Sequence, residues 1–252
     1  MTALKLAVPS KGRLKEQTEA FFEAVGFRIE PLGGARGYFA RLAGLADVEV
    51  RLLSASEIAS GVLAGDIHAG VSGEDLLREQ AGDLERLAHL LAPLGFGFAN
   101  LVVAAPKSWL DVETMADVDD VGARLEASTG RKLRVATKYV RSTRRFFRDE
   151  GVGHYRIVES AGATEGAPAA GVAELIVDIT TTGATLENNG LTILRDGLIL
   201  ASQAQLVASL GAEWTPQALE SLKMLVDAIE RKAGQISNRY ERFLAALNNT
   251  AA

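Results

Sequence analysis

Short apolar runs that end on a polar turn and reopen as a helical pattern recur along this chain. That recurrence limits the fold more than any single residue does. Leu4 to Val8 closes at Pro9, passes through Ser10-Lys11-Gly12-Arg13 and enters a helix from Leu14 to Val25, with Phe21, Phe22 and Val25 on its apolar face. Asp47 to Leu53 reads as a strand, Ser56 as the cap of a helix carrying Ile58, Val62 and Leu63, and Gly65 as its stop. Ile67 to Val71 is another short strand and runs into Ser72-Gly73-Glu74-Asp75, where a further helix begins. Strand, loop and helix in this order predict a mostly parallel sheet covered by helices.

Around Pro93 the texture changes, and Phe96 to Ala105 reads as a strand entering a second unit. That unit continues with a strand at Arg134 to Thr137, a helix at Tyr139 to Arg148 and a strand at Tyr155 to Glu159. A helix across Ala167 to Ala170 and a strand at Leu175 to Asp178 follow, and Leu191 to Leu200 carries the chain back. The expected layout is a first α/β domain from 1–95, a second inserted at 96–182, and a return with C-terminal helices over 183–252, with a cleft between the domains. Leu219, Leu222, Leu225, Val226 and Ile229 recur at helical spacing, extended by Phe243, Leu244 and Leu247. Such a stripe either packs on the first domain or meets another subunit.

Composition removes several chemistries. The chain has no cysteine, so disulfides and thiolate catalysis are excluded. His68, His89 and His154 are scattered without zinc-ligand spacing and read as structural or surface residues. A formal charge of -5, from 27 Lys+Arg against 32 Asp+Glu, opposes broad attraction to nucleic acid. Arg141, Arg144, Arg145 and Arg148 then fit an exposed helix face better than a nucleic-acid site. No apolar run is long enough to cross a bilayer and no export signal precedes the first strand, which predicts a soluble, cytoplasmic protein.

The chemistry concentrates in the loops. Ile176 to Ile179 is a β-branched run broken by Asp178, and it enters Thr180-Thr181-Thr182-Gly183-Ala184-Thr185-Leu186. A buried strand, a tight turn and a helix start put free N–H groups beside threonine hydroxyls, which is an anion cradle. Asp178 is suited to a sugar hydroxyl or to a phosphate-bound Mg²⁺. Lys11 and Arg13 supply a mobile charge and a planar fork for phosphate, while Gly12 lets backbone approach. Ser72-Gly73-Glu74-Asp75 and Thr137-Lys138-Tyr139 occupy the same position after their strands. Gly33-Gly34-Ala35-Arg36-Gly37 reads as a mobile loop whose Arg36 could reach a phosphate.

On these residues the chain resembles the catalytic subunit of ATP phosphoribosyltransferase, in its short form. The likeness runs in order through Pro9 to Leu14, Gly65 to Leu76, Arg134 to Tyr139, Val177 to Leu186 and Asn189-Gly190-Leu191. It implies a type II periplasmic-binding-protein-like fold, two α/β domains around a cleft with a C-terminal helical tail. It also implies transfer of phosphoribosyl from 5-phosphoribosyl 1-diphosphate (PRPP) to adenine N1 of ATP, opening histidine biosynthesis. Lys11, Arg13 and Asp178 would be catalytic. Ser72, Gly73, Asp75, Lys138, Thr181, Thr182, Gly183, Ala184, Thr185 and Leu186 would bind substrate. Mg²⁺ would be held mostly by the substrate's diphosphate. The implied partner is a regulatory subunit resembling histidyl-tRNA synthetase, around a homodimer within a hetero-oligomer. Where many members place an arginine, this chain reads Leu53-Ser54-Ala55-Ser56-Glu57, with Arg51 two residues before Leu53. Two other readings are a salvage-type phosphoribosyltransferase, which usually sets a second acid where Val177 stands, and a non-catalytic bilobed binding protein for a phosphorylated ligand.

Overall fold

The first strand, β1 (Leu4–Pro9), is buried at every residue but Lys5, as a strand covered on both faces requires. The computed structural model describes residues 3–33, 37–160, 162–234 and 237–250. The chain divides into two units, Met1–Gly97 with Gln203–Ala252, and Phe98–Ser202.

In the first unit β1 leads into α1 (Gly12–Ala24), and β2 (Arg28–Leu32) pairs with β3 (Phe39–Ala43) as an antiparallel hairpin. β4 (Val48–Leu53), α2 (Ala55–Ala64), β5 (Ala69–Gly73), α3 (Glu74–Gln80), α4 (Leu84–Leu87) and β6 (Ala88–Pro93) follow. The second unit holds β7 (Ala99–Pro106), α5 (Met115–Thr129), β8 (Leu133–Thr137), α6 (Val140–Asp149) and β9 (Tyr155–Glu159). It continues with β10 (Leu175–Thr180), α7 (Ala184–Asn188) and β11 (Leu191–Ser202). β12 (Ala204–Ser209), α8 (Pro216–Ala233) and α9 (Arg239–Thr250) belong to the first unit again.

Strand order is β2-β3-β4-β1-β5-β12-β6 in the first unit and β11-β7-β10-β8-β9 in the second. Period-two alternation sorts each strand between two cores. Leu6 and Val8 join Phe22, Leu222, Leu225 and Phe243 on one face of the first sheet, while Ala7 joins Ile58, Val62 and Leu77 on the other. In the second unit Val135 and Val177 pack with Met115, Val118 and Phe147, and Ile176 packs on the opposite face with Ala167 and Leu186. The apolar stripe of α8 and α9 is thus absorbed into the first unit's core.

Several expectations change. The sheets are mixed rather than mostly parallel: β1 runs parallel to β4 and β5, and β8 to β9 and β10, but β7, β11, β12 and the β2–β3 hairpin pair antiparallel. Residues 183–202 stay in the second unit instead of returning, because β11 pairs along β7, from Leu191 opposite Pro106 to Ser202 opposite Ala99. The cap of α2 is Ser54, whose hydroxyl accepts from Glu57 N–H while the Glu57 carboxylate accepts from Ser54 N–H. Ser56 lies inside that helix. No helix spans Ala167 to Ala170; the segment holds a 3₁₀ turn at Thr164–Gly166 followed by hydrogen-bonded turns. Arg36 and its neighbours at 34–36 lie outside the described residues.

His68 and His89 lie against aromatic rings of the first unit, and the half-exposed His154 pairs with Glu126. His68 is buried: its Nδ1 accepts from Lys5 N–H at 2.9 Å, its Nε2 lies 3.0 Å from the Glu213 carbonyl, and its ring lies against Trp214. Burial lowers the pKa of His68 and of His89. Below the unfolded value of about 6.5 the unfolded chain takes up protons that the folded chain refuses, so stability falls as pH drops from there toward the lowered folded values. Thermal unfolding midpoints should therefore fall between pH 7.5 and 5.5, and His68→Gln should flatten that slope. An unchanged slope in the variant would remove His68 from the account.

Candidate functional site

Two strand ends in the first unit share one side of the sheet because β1 and β5 are parallel neighbours. After β1, Lys11 sits at the N-cap of α1 in extended conformation with no side-chain cap, and Gly12 opens the helix at φ +70°. The first amides of α1 therefore lack an internal partner, and the exposed Lys11 and Arg13 stand beside them. β4 ends at the same side, with Leu53 opposite Pro9, and Lys11 is near enough to help lower the pKa of Glu57, whose main cause is the hydrogen bonds with Ser54. After β5, Ser72 is buried and its hydroxyl donates to the Ala55 carbonyl at 2.9 Å. Asp75 is buried at the start of α3, with its carboxylate against Gly73. Glu74 pairs with Arg78 at 2.7 Å and accepts from Gln205. Arg51 is committed to Glu49 at 2.7 Å.

The second unit repeats the device. β8 and β10 are parallel neighbours, so Lys138 and Asp178 come together, 3.9 Å apart. β10 runs on to Thr180, and alternation puts Asp178 on the face of Ile176 and Thr180. The turn that follows is built by its own hydroxyls: Thr180 Oγ1 accepts from Gly183 N–H at 2.8 Å, and Thr181 Oγ1 donates to the Phe98 carbonyl. Gly183 caps α7 at φ +81°, a left-handed conformation that an L side chain resists. Asp178, Thr180, Thr181, Thr182 and Thr185 line a cavity of about 300 Å³. Leu186 also borders it, although its side chain belongs to the core.

Among the lining residues that sequence reasoning left out of the site, Glu165 is the charged one, carried on the 3₁₀ turn beside β10. The turn starts from Ala163 at φ +49°, an unusual conformation for alanine that no motif announces. Asp178 has a raised pKa. Burial is the main cause and Glu165 adds to it, against the Ile179 N–H, Lys138 and the Thr164 side chain. A carboxylate pair with threonine hydroxyls is an all-oxygen donor set, which suits a hard cation that keeps most of its ligands from substrate phosphates. Among the described residues no three acidic or histidine side chains gather as a complete metal cage.

Chemically, the second unit lines a small cavity with threonine hydroxyls together with the carboxylates of Asp178 and Glu165. Thr182→Val combined with Thr185→Val should weaken binding of a phosphate monoester, by about 1.5–3 kcal/mol for each charge-assisted bond lost. Titration calorimetry on the folded variant measures this, and unchanged affinity would remove both hydroxyls from the site.

The ATP phosphoribosyltransferase family matches this chain over residues 54–231. An ATP phosphoribosyltransferase of Caulobacter vibrioides (strain NA1000 / CB15N) is 61% identical over 238 residues, covering 94% of this chain and 74% of the relative. Among solved structures, the ATP phosphoribosyl transferase (HisG:HisZ) complex from Thermotoga maritima contains a chain 27% identical with a TM-score of 0.67, matched over 90% of this chain and 98% of that one. A histidine kinase sensor domain described as similar to periplasmic binding proteins matches at a TM-score of 0.50 and 16% identity, over 96% of this chain and 94% of its own. That last likeness concerns the fold alone.

Proposed function

The chain belongs to the ATP phosphoribosyltransferase family, and from that premise we propose how its residues carry the reaction. The reaction is the condensation of ATP with PRPP that opens histidine biosynthesis. The adenine N1 lone pair forms the new bond to ribose C1 while the C1–oxygen bond breaks and its electron pair leaves with diphosphate. Attack opposite the leaving group inverts C1. N1 already carries the lone pair, so no general base is assigned.

The observation that carries the assignment of parts is the cavity at the end of β10, lined by Asp178 together with Thr181, Thr182 and Thr185. The 5-phosphate is assigned to the turn from Thr181 to Thr185, where Thr181, Thr182 and Thr185 line the cavity; the Gly183 and Ala184 N–H groups are spent on Thr180 and Thr182 Oγ1 and hold the turn in shape. Asp178 orients the ribose hydroxyls and favours the positive charge that grows at C1. Lys138, 3.9 Å away on the neighbouring strand end, favours the charged form of that carboxylate against the burial that raises its pKa. Lys11 and Arg13 take the diphosphate, with the open amides of α1 behind them. Gly73 gives backbone access after β5, and Ser72 and Asp75 act from its flanks, Ser72 through the anchored start of α2. Catalysis then rests on alignment and preformed charge. Mg²⁺, when bound, neutralises the leaving diphosphate. Its ligands would be mostly substrate oxygens, with Asp178 the protein group suited to face it.

The Thermotoga structure is a HisG:HisZ complex by its description. We extend that to a regulatory partner resembling histidyl-tRNA synthetase, assembled around a dimer of this chain in the cytoplasm. Among the described residues no helix is long and apolar enough to cross a membrane. The salvage-type reading loses its second strand carboxylate, because Val177 is buried in the core.

The assay mixes the chain with ATP, PRPP and Mg²⁺, with and without the partner, and measures phosphoribosyl-ATP. Product is expected in both, with more turnover and histidine sensitivity only when the partner is present. Binding without turnover in the complete mixture would favour a receptor. Lys11→Ala and Arg13→Ala should lower kcat together with kcat/KM while the fold persists, as loss of a transition-state contact requires. Wild-type rates in either variant would remove that residue from the diphosphate.

A further inference from the structure

A second cavity, of about 490 Å³, opens in the second unit where the loop after β7 meets the start of β11. Phosphoribosyl transfer makes no use of it. At this end of β7, Pro106 lies opposite Leu191, whereas Thr180, at the end of β10, lies opposite Asn100 near the start of β7. The two cavities therefore sit at opposite ends of one sheet and share no lining residue. The volume falls within the range of small-molecule sites.

The lining sets two cations beside an apolar surface. Trp109, Leu110 and Ile193 supply the apolar part, and Lys107 and Arg195 the charge. One exposed leucine is ordinary on a protein. Leu110 at 83% exposure, in one cavity with a half-buried indole and an exposed isoleucine, is a patch. The backbone also aims Arg195. β11 keeps register with β7 from Leu191 to Ile193 and then bulges, so that Leu198 comes opposite Val102. Arg195 lies in that bulge, and its N–H donates to the Glu113 carbonyl at 2.9 Å. Asp196 accepts from Met115 N–H at 2.9 Å, which fastens the bulge to the start of α5. Bulges re-aim side chains in this way beside ligand sites.

Both cations are lightly held. Lys107 donates to Glu187 at 3.1 Å and Arg195 lies 2.9 Å from the Glu113 carboxylate, in pairs whose four side chains are all largely exposed. Exposed pairs of this kind add little stability, so a ligand anion displaces either carboxylate easily. Within the lining, two cations face the single carboxylate of Glu113, which leaves one positive charge to be met. A carboxylate brings one negative charge and fits the guanidinium fork, while a phosphate monoester brings nearly two. An aromatic ring gains from the indole a contact that a saturated ring does not. We propose that this cavity is a second ligand site, for a small aromatic carboxylate whose ring lies against Trp109, Leu110 and Ile193 and whose charge is taken by Arg195 and Lys107.

The test uses the intact chain labelled with ¹⁵N. Its two tryptophans, Trp109 and Trp214, give two indole N–H resonances, and Trp109→Phe identifies which is which. Titration with indole-3-propionate should move the Trp109 resonance to saturation and leave that of Trp214, in the first unit, in place. The uncharged amide of the same probe should bind more weakly by about tenfold or more, as loss of charge-assisted hydrogen bonds requires. Cyclohexanepropionate, equally charged but saturated, should also bind more weakly. Arg195→Gln should cost the acid about tenfold and Lys107→Gln about threefold, because the fork makes two bonds where the ammonium makes one. Both side chains are exposed, and unchanged melting temperatures should confirm that the variants fold. Saturating ribose 5-phosphate should not compete. A Trp109 resonance that stays still or never saturates would overturn the proposal. Equal affinity for the acid and its amide, or for the aromatic and the saturated acid, would do the same. So would full affinity in either variant, or competition by ribose 5-phosphate.

Discussion

Parallel pairing is the constraint on which the rest depends. A parallel neighbour ends on the same side of the sheet, so whatever follows each strand is gathered without any side chain needing to reach far. In the second unit, β8 beside β10 is enough to set Lys138 3.9 Å from Asp178. In the first, β1 between β4 and β5 collects Lys11, Glu57 and the Ser72–Asp75 loop. The antiparallel strands outside these pairs extend the sheets without disturbing the gathered ends.

The same geometry explains the electrostatics. Asp178 is drawn into the sheet by the burial of Ile176 and Val177 on either side of the strand, and that burial is what raises its pKa most. The Ile179 N–H, Lys138 and Thr164 oppose the shift without adding a second full positive charge. A carboxylate held this way has a standing demand for neutral donors, and a sugar hydroxyl meets it. The threonine turn has the opposite demand, since the hydroxyls of Thr182 and Thr185 can each donate to an anion. A phosphorylated sugar satisfies both at once.

Much of this was legible in the sequence, because the relevant signals are local. β9 has the bounds its alternation suggested, Tyr155–Glu159, and the threonine run forms the turn and helix start read from its residues. What escaped was either a local choice between similar signals or a pairing with partners distant in sequence. Ser54 and Ser56 are both good caps, and only the carboxylate of Glu57 three residues after Ser54 selects the first. β11 has the apolar content of a strand for either unit; its pairing along β7 decides the matter. Glu165 was invisible because its placement follows from Ala163 at positive φ and a buried Thr164, neither of which has a sequence signature. Ser72 was read as a ligand group from its position, whereas its hydroxyl is spent on the start of α2.

On this reading the turn that Thr180 and Gly183 shape, with Thr181, Thr182 and Thr185 lining its cavity, holds the sugar's phosphate. Amide chemical shifts of ¹⁵N-labelled protein during titration with ribose 5-phosphate test it most directly. The account predicts that the amides of Thr182, Gly183, Ala184 and Thr185 move together, with saturation at one ligand concentration. Those resonances staying still while the ligand binds elsewhere would contradict it.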